Sequence, residues 1–206
     1  MTAAAPTTAS LLARRDPPVQ AICIGASAGG VEALLTVLPG LRAGYRLPIV
    51  VVLHLPDDRD SVLAEVFQHH MALDVREARD KEPVGCGTVY FAPPGYHLLV
   101  EQDHSFSLSC DPAVNHSRPS IDLLFTSAAD AWGPGLAALL LTGANEDGAE
   151  GLRAAARAGA LTAVQAPAEA RVSTMPEAAL RLHPSHGQLT LAEIHQLLQD
   201  LERRHA

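Results

Sequence analysis

Three short runs in this chain are apolar from end to end, and they limit the folds that the chain can adopt. The runs lie in VQAICI (19–24), PIVVVLHLP (48–56) and GLAALLLTG (135–143). A strand with one solvated face would alternate apolar and polar residues, and these runs do not. Each run is followed by a polar turn and then by residues with helical apolar spacing. The pattern predicts parallel strands that helices bury on both faces.

The remaining segments extend this pattern into one domain. We expect a three-layer, doubly wound α/β fold with a mostly parallel sheet. HLLVEQDHSFSLSC (97–110) is typical of an inserted antiparallel hairpin, which we expect to add edge strands to that sheet. Residues 19–206 form the predicted domain. Residues 1–18, rich in Ala, Thr and Pro, are predicted to be a flexible tail.

Composition excludes several classes of protein. The 15 Lys and Arg against 23 Asp and Glu give a net charge of −8, which disfavours binding to nucleic acid or anionic membranes. The three cysteines, Cys23, Cys86 and Cys110, are odd in number and lack CxxC spacing, so a reducing compartment is expected. No run reaches the roughly 18 apolar residues of a membrane helix, and the start lacks the pattern of a signal peptide. We therefore expect a cytoplasmic protein that is not inserted in a membrane.

The turn GASAGG (25–30) connects the first apolar run to a helix, and two functions need such a turn. A dinucleotide-binding turn has glycine at its middle position, where a side chain would obstruct the pyrophosphate. Ser27 occupies that position, and His54 stands where an acidic residue would be expected. The turn instead matches GxSxG, which presents a nucleophilic serine between a strand and a helix. A simpler alternative, in which the Ser27 hydroxyl only caps the helix, stays open at this point.

Two further polar turns supply what a nucleophilic serine requires. His54 ends the second apolar run, and Asp147 follows the third, so both are expected at the same sheet edge as Ser27. The histidine would act as the base and the carboxylate would orient it. Asp147 also begins a D-x-x-E pattern that is typical of a helix N-cap, which is a competing interpretation. His183 and His186 lack a matching acidic or cysteine cluster, so we do not predict a metal site there.

Six segments occur in the order and spacing of a known family. They are IGASAGGVEAL (24–34), VVLHLP (51–56), YFAPPGYHL (90–98), RPSIDLLF (118–125), LLLTGANEDGAEGL (139–152) and STMPEAAL (173–180). Over residues 19–200 the chain resembles the catalytic domain of CheB, the chemoreceptor protein-glutamate methylesterase. The resemblance implies a doubly wound α/β fold, a serine triad, and no metal or organic cofactor. It also implies hydrolysis of glutamate γ-methyl esters on cytoplasmic receptor helices, in many members with glutamine deamidation.

The resemblance assigns roles to individual positions. Ser27 becomes the nucleophile, His54 the general base and Asp147 the carboxylate. Backbone N–H groups would hold the oxyanion, and a further side chain would position the substrate. The candidates for these roles are Ala28, Gly143 and Ala144 for the oxyanion and Arg118 for the substrate. A surface ion pair is the alternative for Arg118.

The chain also departs from the family pattern near the site. Ala28 replaces a common Thr, and Ala144 replaces the Met of TGMGxDG. The histidine of HRPS is replaced by Ser117, and His116 precedes it. Glu146 adds a charge beside Asp147, which either raises the basicity of the histidine or faces water.

Classical members of the family also carry an N-terminal phospho-receiver domain, for which the first 18 residues are too few, so the chain is either an excised catalytic domain or a stand-alone member. We expect a stand-alone catalytic domain and a monomer. Two alternatives remain open at this stage: a same-fold esterase for another ester, and a non-catalytic module that binds signalling partners.

Overall fold

A computed structural model describes residues 11–12, 17–54 and 63–204. The strands are β1 (Ala21–Ala26), β2 (Ile49–Leu53), β3 (Asp74–Glu77), β4 (Thr88–Phe91), β5 (His97–Val100), β6 (Phe106–Ser109), β7 (Leu136–Leu140), β8 (Leu161–Gln165) and β9 (Gly187–Leu189). The α-helices are α1 (Gly30–Val37), α2 (Leu63–Gln68), α3 (Ile121–Trp132), α4 (Ala149–Arg157), α5 (Thr174–Leu182) and α6 (Leu191–Arg203).

Seven strands form one parallel sheet in the order β3-β4-β2-β1-β7-β8-β9, which confirms the predicted α/β class. From β1 the chain passes to its neighbour β2, then to the edge strand β3 and back to β4, which lies between β2 and β3, before it returns to β7 on the other side of β1. Such a reversal opens a crevice at the carboxyl ends of the strands, where ligands bind in open α/β sheets. The crevice therefore lies beside β1, at the turn that carries Ser27.

Helices cover both faces of the sheet, as predicted. Ile22 and Ile24 of β1 pack with α1, α2 and α6 on one face. Ala21 and Cys23 point to the opposite face and pack with α3, α4 and α5. The central strands are buried on both faces, which explains why their sequences are apolar throughout. Among the described residues, no helix is both long and apolar enough to cross a membrane.

The hairpin forms where it was predicted, but it does not extend the main sheet. Strands β5 and β6 pair only with each other in a separate antiparallel sheet. Leu98, Val100 and Phe106 are buried in the core cluster that also contains α3. The prediction of antiparallel edge strands was therefore wrong, because the apolar face of the hairpin packs over the sheet instead of continuing its hydrogen-bond ladder.

The predicted tail, residues 1–18, lies largely outside the described residues. Within it, Leu12 is buried against the core. Its carbonyl oxygen accepts a hydrogen bond from Arg204 (2.7 Å).

Candidate active site

The turns that carry Ser27, His54 and Asp147 meet at the carboxyl ends of β1, β2 and β7. The backbone N–H of His54 donates to the carbonyl of Ala26 (3.0 Å), and the N–H of Ser27 donates to the carbonyl of Thr142 (2.9 Å). These bonds continue the two parallel ladders by one residue beyond the strands. Ser27 is thereby held between the turn with His54 and the turn that leads to Asp147.

His54 and Asp147 form a direct hydrogen bond. His54 Nε2 lies 2.9 Å from Asp147 Oδ2, with Asp147 fully buried and the His54 side chain 12% exposed. A carboxylate only accepts, so Nε2 carries the proton in the neutral ring and Nδ1 is left as the acceptor. This geometry is the one that a hydrolytic triad requires of its histidine and its carboxylate.

Asp147 receives three more donors from the start of helix α3. Its Oδ1 accepts bonds from Ser120 Oγ (2.9 Å) and the N–H of Asp122 (3.2 Å). Its Oδ2 accepts the N–H of Ile121 (2.7 Å) in addition to His54. The carboxylate therefore caps a helix distant in sequence, with its negative charge at the positive end of that helix dipole. These four donors fix the orientation of both oxygens.

The competing interpretation, in which Asp147 caps its own helix, is wrong. The N-cap of α4 is Gly148, with φ 94° and no side-chain hydrogen bond. Glu150, the other member of the D-x-x-E pattern, forms an ion pair with Arg153. The Asp147 side chain points away from α4 and toward α3, where it meets His54.

The surroundings of Asp147 set its charge state. Burial alone would raise the pKa of this carboxyl group. The hydrogen bonds from His54, from the Ile121 N–H and from Ser120, together with the attraction of a charged His54, outweigh burial and hold the pKa of Asp147 below its usual value. The carboxylate is therefore ionised at neutral pH and can stabilise a protonated imidazole.

The Ser27 turn is shaped by its glycines. Gly29 is the N-cap of α1 in the left-handed region at φ 82°, which an L side chain rarely adopts. A Cβ on Gly30 would lie 2.5 Å from Leu53 Cδ1, so glycine allows α1 to approach β2 closely. No side chain caps α1. The alternative that Ser27 serves as the cap of this helix therefore finds no support in its contacts.

Ser27 and His54 follow neighbouring strands, but no hydrogen bond joins their side chains. Ser27 is half-buried, and its Oγ makes no hydrogen bond within the described part of the chain. Instead, His54 Nδ1 has Ser117 Oγ as its neighbour at 3.5 Å. Hydrogen bonds between catalytic groups are often long or absent before substrate binds.

Ser117 and Asn145 close a cycle of polar contacts that also includes Asp147 and His54. Asn145 donates from Nδ2 to Ser117 Oγ (3.2 Å), and its Oδ1 accepts the N–H of Asp147 (3.2 Å). Ser117 replaces the histidine of HRPS and Asn145 replaces the second glycine of TGMGxDG, and neither residue was predicted to act in the site. Only their contact in the folded chain reveals that the two departures belong together.

The predicted oxyanion donors differ in availability. The N–H of Gly143 donates to the carbonyl of Val172 (3.1 Å), so it is already committed. The N–H groups of Ala28 and Ala144 have no partner among the described residues, and both residues are exposed. Two of the three candidates can therefore receive a developing oxyanion.

The other polar candidates lie at the rim of the site. Arg118 is exposed and donates to the carbonyls of Cys110 (3.1 Å) and Asp111 (3.3 Å), instead of forming the ion pair considered above. Glu146 is exposed and pairs with Arg181 (3.0 Å), so it faces solvent and not the imidazole of His54.

The two histidines considered as metal ligands lie outside the site. His186 is buried, with Nδ1 2.8 Å from Thr162 Oγ1, and its ring centroid lies 4.7 Å from that of His183. Within the described ranges, no group of three or more His, Cys, Asp or Glu residues is arranged to hold a metal ion.

A second buried carboxylate, Asp122, lies beside Asp147. It accepts hydrogen bonds from the N–H of Gly151 (2.7 Å) and from Asn115 Nδ2 (2.9 Å). Burial, and then the charge of Asp147, raise the pKa of Asp122 to about 6, although the Gly151 bond opposes them. The folded protein therefore binds this proton more tightly than the unfolded chain does.

Asp122 gives a testable pH dependence of stability. A raised pKa in the folded state means that stability from this group increases as the pH falls through 6. Relative to Asp122→Asn, the wild type should gain about 1 kcal/mol in unfolding free energy between pH 7 and pH 5. Urea denaturation at both pH values measures this difference, with the exposed Asp74→Asn as the control. A difference that stays constant with pH would contradict the raised pKa.

Comparison with known proteins identifies the family. The family model described as CheB methylesterase matches residues 22–198. The chain belongs to the CheB methylesterase family. A crystal structure of the CheB methylesterase catalytic domain of Thermotoga maritima matches with a TM-score of 0.82 at 30% identity, covering 89% of this chain and 98% of that one.

Relatives in the CheB family differ in length. A Leptospira interrogans relative is 40% identical over 184 residues, which are 89% of this chain and 95% of the relative. A protein-glutamate methylesterase/protein-glutamine glutaminase of Anaeromyxobacter dehalogenans is 42% identical over 92% of this chain and 55% of its own length. The protein-glutamate methylesterase FrzG of Myxococcus xanthus is 36% identical over 92% of this chain and 57% of its own. The chain thus spans nearly all of one relative and a little over half of the other two.

Proposed function

We propose that this protein is a cytoplasmic serine hydrolase that removes γ-methyl esters from glutamates on the helices of chemotaxis receptors. The observation that carries the proposal is the bonded His54–Asp147 pair beside Ser27, in a chain of the CheB methylesterase family. Relatives named protein-glutamate methylesterases support the choice of substrate.

The first half of the reaction forms an acyl-enzyme. Ser27 Oγ attacks the ester carbonyl while His54 Nδ1 takes the hydroxyl proton. Asp147 stabilises the resulting imidazolium through Nε2–H, where the ring already donates to the carboxylate. The tetrahedral intermediate collapses, the C–O bond to the methoxy group breaks, and His54 returns the proton to release methanol. The glutamyl group is then esterified to Ser27.

Backbone donors stabilise the oxyanion of the intermediate. The unpartnered N–H groups of Ala28 and Ala144 take this role, since the N–H of Gly143 is bonded to Val172. Ala28 also lies just before helix α1, where the positive end of the helix dipole favours a developing negative charge. One well-placed donor is worth about 3 kcal/mol in the transition state.

The second half of the reaction uses the same groups on water. His54 Nδ1 takes a proton from a water molecule, which attacks the acyl carbonyl. The bond to Ser27 Oγ breaks, Ser27 recovers a proton from His54, and the glutamate carboxylate leaves. A glutamine side chain would follow the same path with ammonia in place of methanol. Relatives named protein-glutamine glutaminases support extending the proposal to deamidation.

The function is tested by methanol release from a receptor cytoplasmic fragment that has first been methyl-esterified. Wild type should release methanol in proportion to the carboxylates formed, and Ser27→Ala should release none above background. A panel of small methyl and acetyl esters, assayed in parallel, reports whether activity depends on the receptor helix. Equal, background-level release by wild type and Ser27→Ala would overturn the proposal. Rapid hydrolysis of the small esters alone would instead favour an esterase with another substrate.

A further inference from the structure

His97 is a fully buried histidine next to the site that the mechanism above does not use. It begins β5, and both of its ring nitrogens are bonded. The N–H of Ser120 donates to His97 Nδ1 (3.1 Å), and His97 Nε2 lies 3.1 Å from the carbonyl oxygen of Pro112.

These two partners define the proton position on His97. A backbone N–H can only donate, so Nδ1 must be an unprotonated acceptor. A carbonyl can only accept, so Nε2 must carry the proton. The His97 ring is thus neutral, with Nδ1 fixed as a hydrogen-bond acceptor and Nε2 fixed as a donor.

Through Ser120, the acceptor nitrogen of His97 is connected to the carboxylate of Asp147. Ser120, whose N–H it holds, is fully buried and is the N-cap of α3. The Ser120 hydroxyl donates to Asp147 Oδ1 (2.9 Å) and receives the N–H of Leu123 (3.4 Å). Asp147 in turn bonds His54 Nε2. Three consecutive hydrogen bonds therefore link His97 to the imidazole of His54.

The protonated nitrogen of His97, Nε2, bonds the other end of the loop of residues 112–120. Pro112 and Ser120 bracket the segment that carries Ser117, the neighbour of His54 Nδ1. Val114 and Ser117 pair with each other within it. A single buried ring thus ties both ends of a loop that approaches His54 Nδ1 through Ser117 and bonds the Asp147 carboxylate through Ser120.

We propose that His97 is a positioning residue for the Ser27–His54–Asp147 triad, acting through Ser120 on the orientation of the Asp147 carboxylate. This inference rests on the proposed function. His97 contacts neither substrate nor the reacting atoms. Its acceptor nitrogen is the part that matters for catalysis, because that atom fixes the position of Ser120.

Two substitutions test the two ring nitrogens of His97 separately. In His97→Asn, the amide oxygen replaces Nδ1 and can still accept the Ser120 N–H. In His97→Gln, the amide nitrogen replaces Nε2 and can still donate to Pro112, but the acceptor at the Nδ1 position is lost. We expect His97→Gln to lower kcat about 100-fold with little change in KM, as misplacement of a catalytic group does. His97→Asn should recover most of that loss.

A control variant and two measurements separate a loss of positioning from a loss of folding or of substrate binding. His195→Gln is the matched control, because His195 bonds the carbonyl of Val37 at the far end of α1. Urea denaturation reports whether each variant is folded. Proton NMR follows the downfield His54 Nε2–H signal, which should persist in wild type and His97→Asn and broaden or shift in His97→Gln.

The outcomes distinguish this inference from the proposed function. If wild type does not exceed Ser27→Ala in methanol release, the proposed function fails, and the NMR signal alone tests the positioning role. Equal kcat losses and equal NMR changes in the Asn and Gln variants would overturn the role of the acceptor nitrogen. A raised KM at unchanged kcat would also overturn it, since His97 would then shape substrate binding.

Discussion

Ser27→Ala is expected to lower kcat for methyl ester hydrolysis by about 10⁴-fold or more, because the substitution removes the attacking oxygen. The variant should fold as the wild type does. The backbone bonds of Ser27 to Thr142 and Gly30 do not involve the hydroxyl. Methanol release measures the rate, and urea denaturation measures the stability.

Ser117→Ala is the matched control, since Ser117 is a second serine whose Oγ lies 3.5 Å from His54 Nδ1. Its loss removes a neighbour of the base but leaves the nucleophile, so we expect a change of less than about 10-fold. A Ser27→Ala variant that retains more than a tenth of the rate would contradict the assignment. So would an inactive Ser117→Ala, which would make Ser117 the nucleophile.

Asp147→Asn is expected to reduce both activity and stability. All four contacts of the carboxylate come from donors, two on each oxygen. In asparagine, an NH₂ group, which donates, replaces one of the two carboxylate oxygens. Whichever way the amide is turned, this NH₂ group faces two of the four donors. If the amide donates to His54 Nε2, the ring holds its proton on Nδ1 and loses its base. The kcat should fall about 10⁴-fold, as expected when a triad histidine is held in the wrong tautomer.

The same substitution should lower the unfolding free energy by about 3 kcal/mol, because buried donors lose their acceptor. Glu146→Gln provides the control, since Glu146 is the adjacent residue but is exposed and paired only with Arg181. That variant should change the unfolding free energy by less than about 0.5 kcal/mol. Asp147→Asn with wild-type kcat and stability would show that the carboxylate neither orients His54 nor caps α3.

The parallel sheet was predictable because the residue types in its central strands reflect where those strands lie. Burial on both faces demands apolar residues throughout, and three such runs are visible in the sequence. Strand β9, Gly187–Leu189, was not predicted, since three residues with an exposed Gln188 have no periodicity. The separate hairpin sheet was also missed, because alternation within β5 and β6 does not tell which surface buries their apolar face.

Within the site, local patterns located the turns but not the bonds between them. The order of apolar strands and polar turns brought Ser27, His54 and Asp147 to one sheet edge. The D-x-x-E pattern suggested a local cap, whereas Asp147 caps a helix 26 residues earlier through Ile121. A serine before an amphipathic helix is a signal for the Ser120 N-cap.

The bond from Ser120 to Asp147 and the commitment of the Gly143 N–H to Val172 depend on packing between distant segments. No local signal in the sequence encodes either contact.

In the proposed mechanism, Ser27 carries the hydroxyl that His54 and Asp147 activate. The most direct measurement treats the protein with a fluorophosphonate, which reacts with base-activated serines, and maps the modified peptide by mass spectrometry. We predict a single adduct on Ser27, absent in Ser27→Ala and formed much more slowly in Asp147→Asn. An adduct on Ser117, or no adduct in the wild type, would contradict the account.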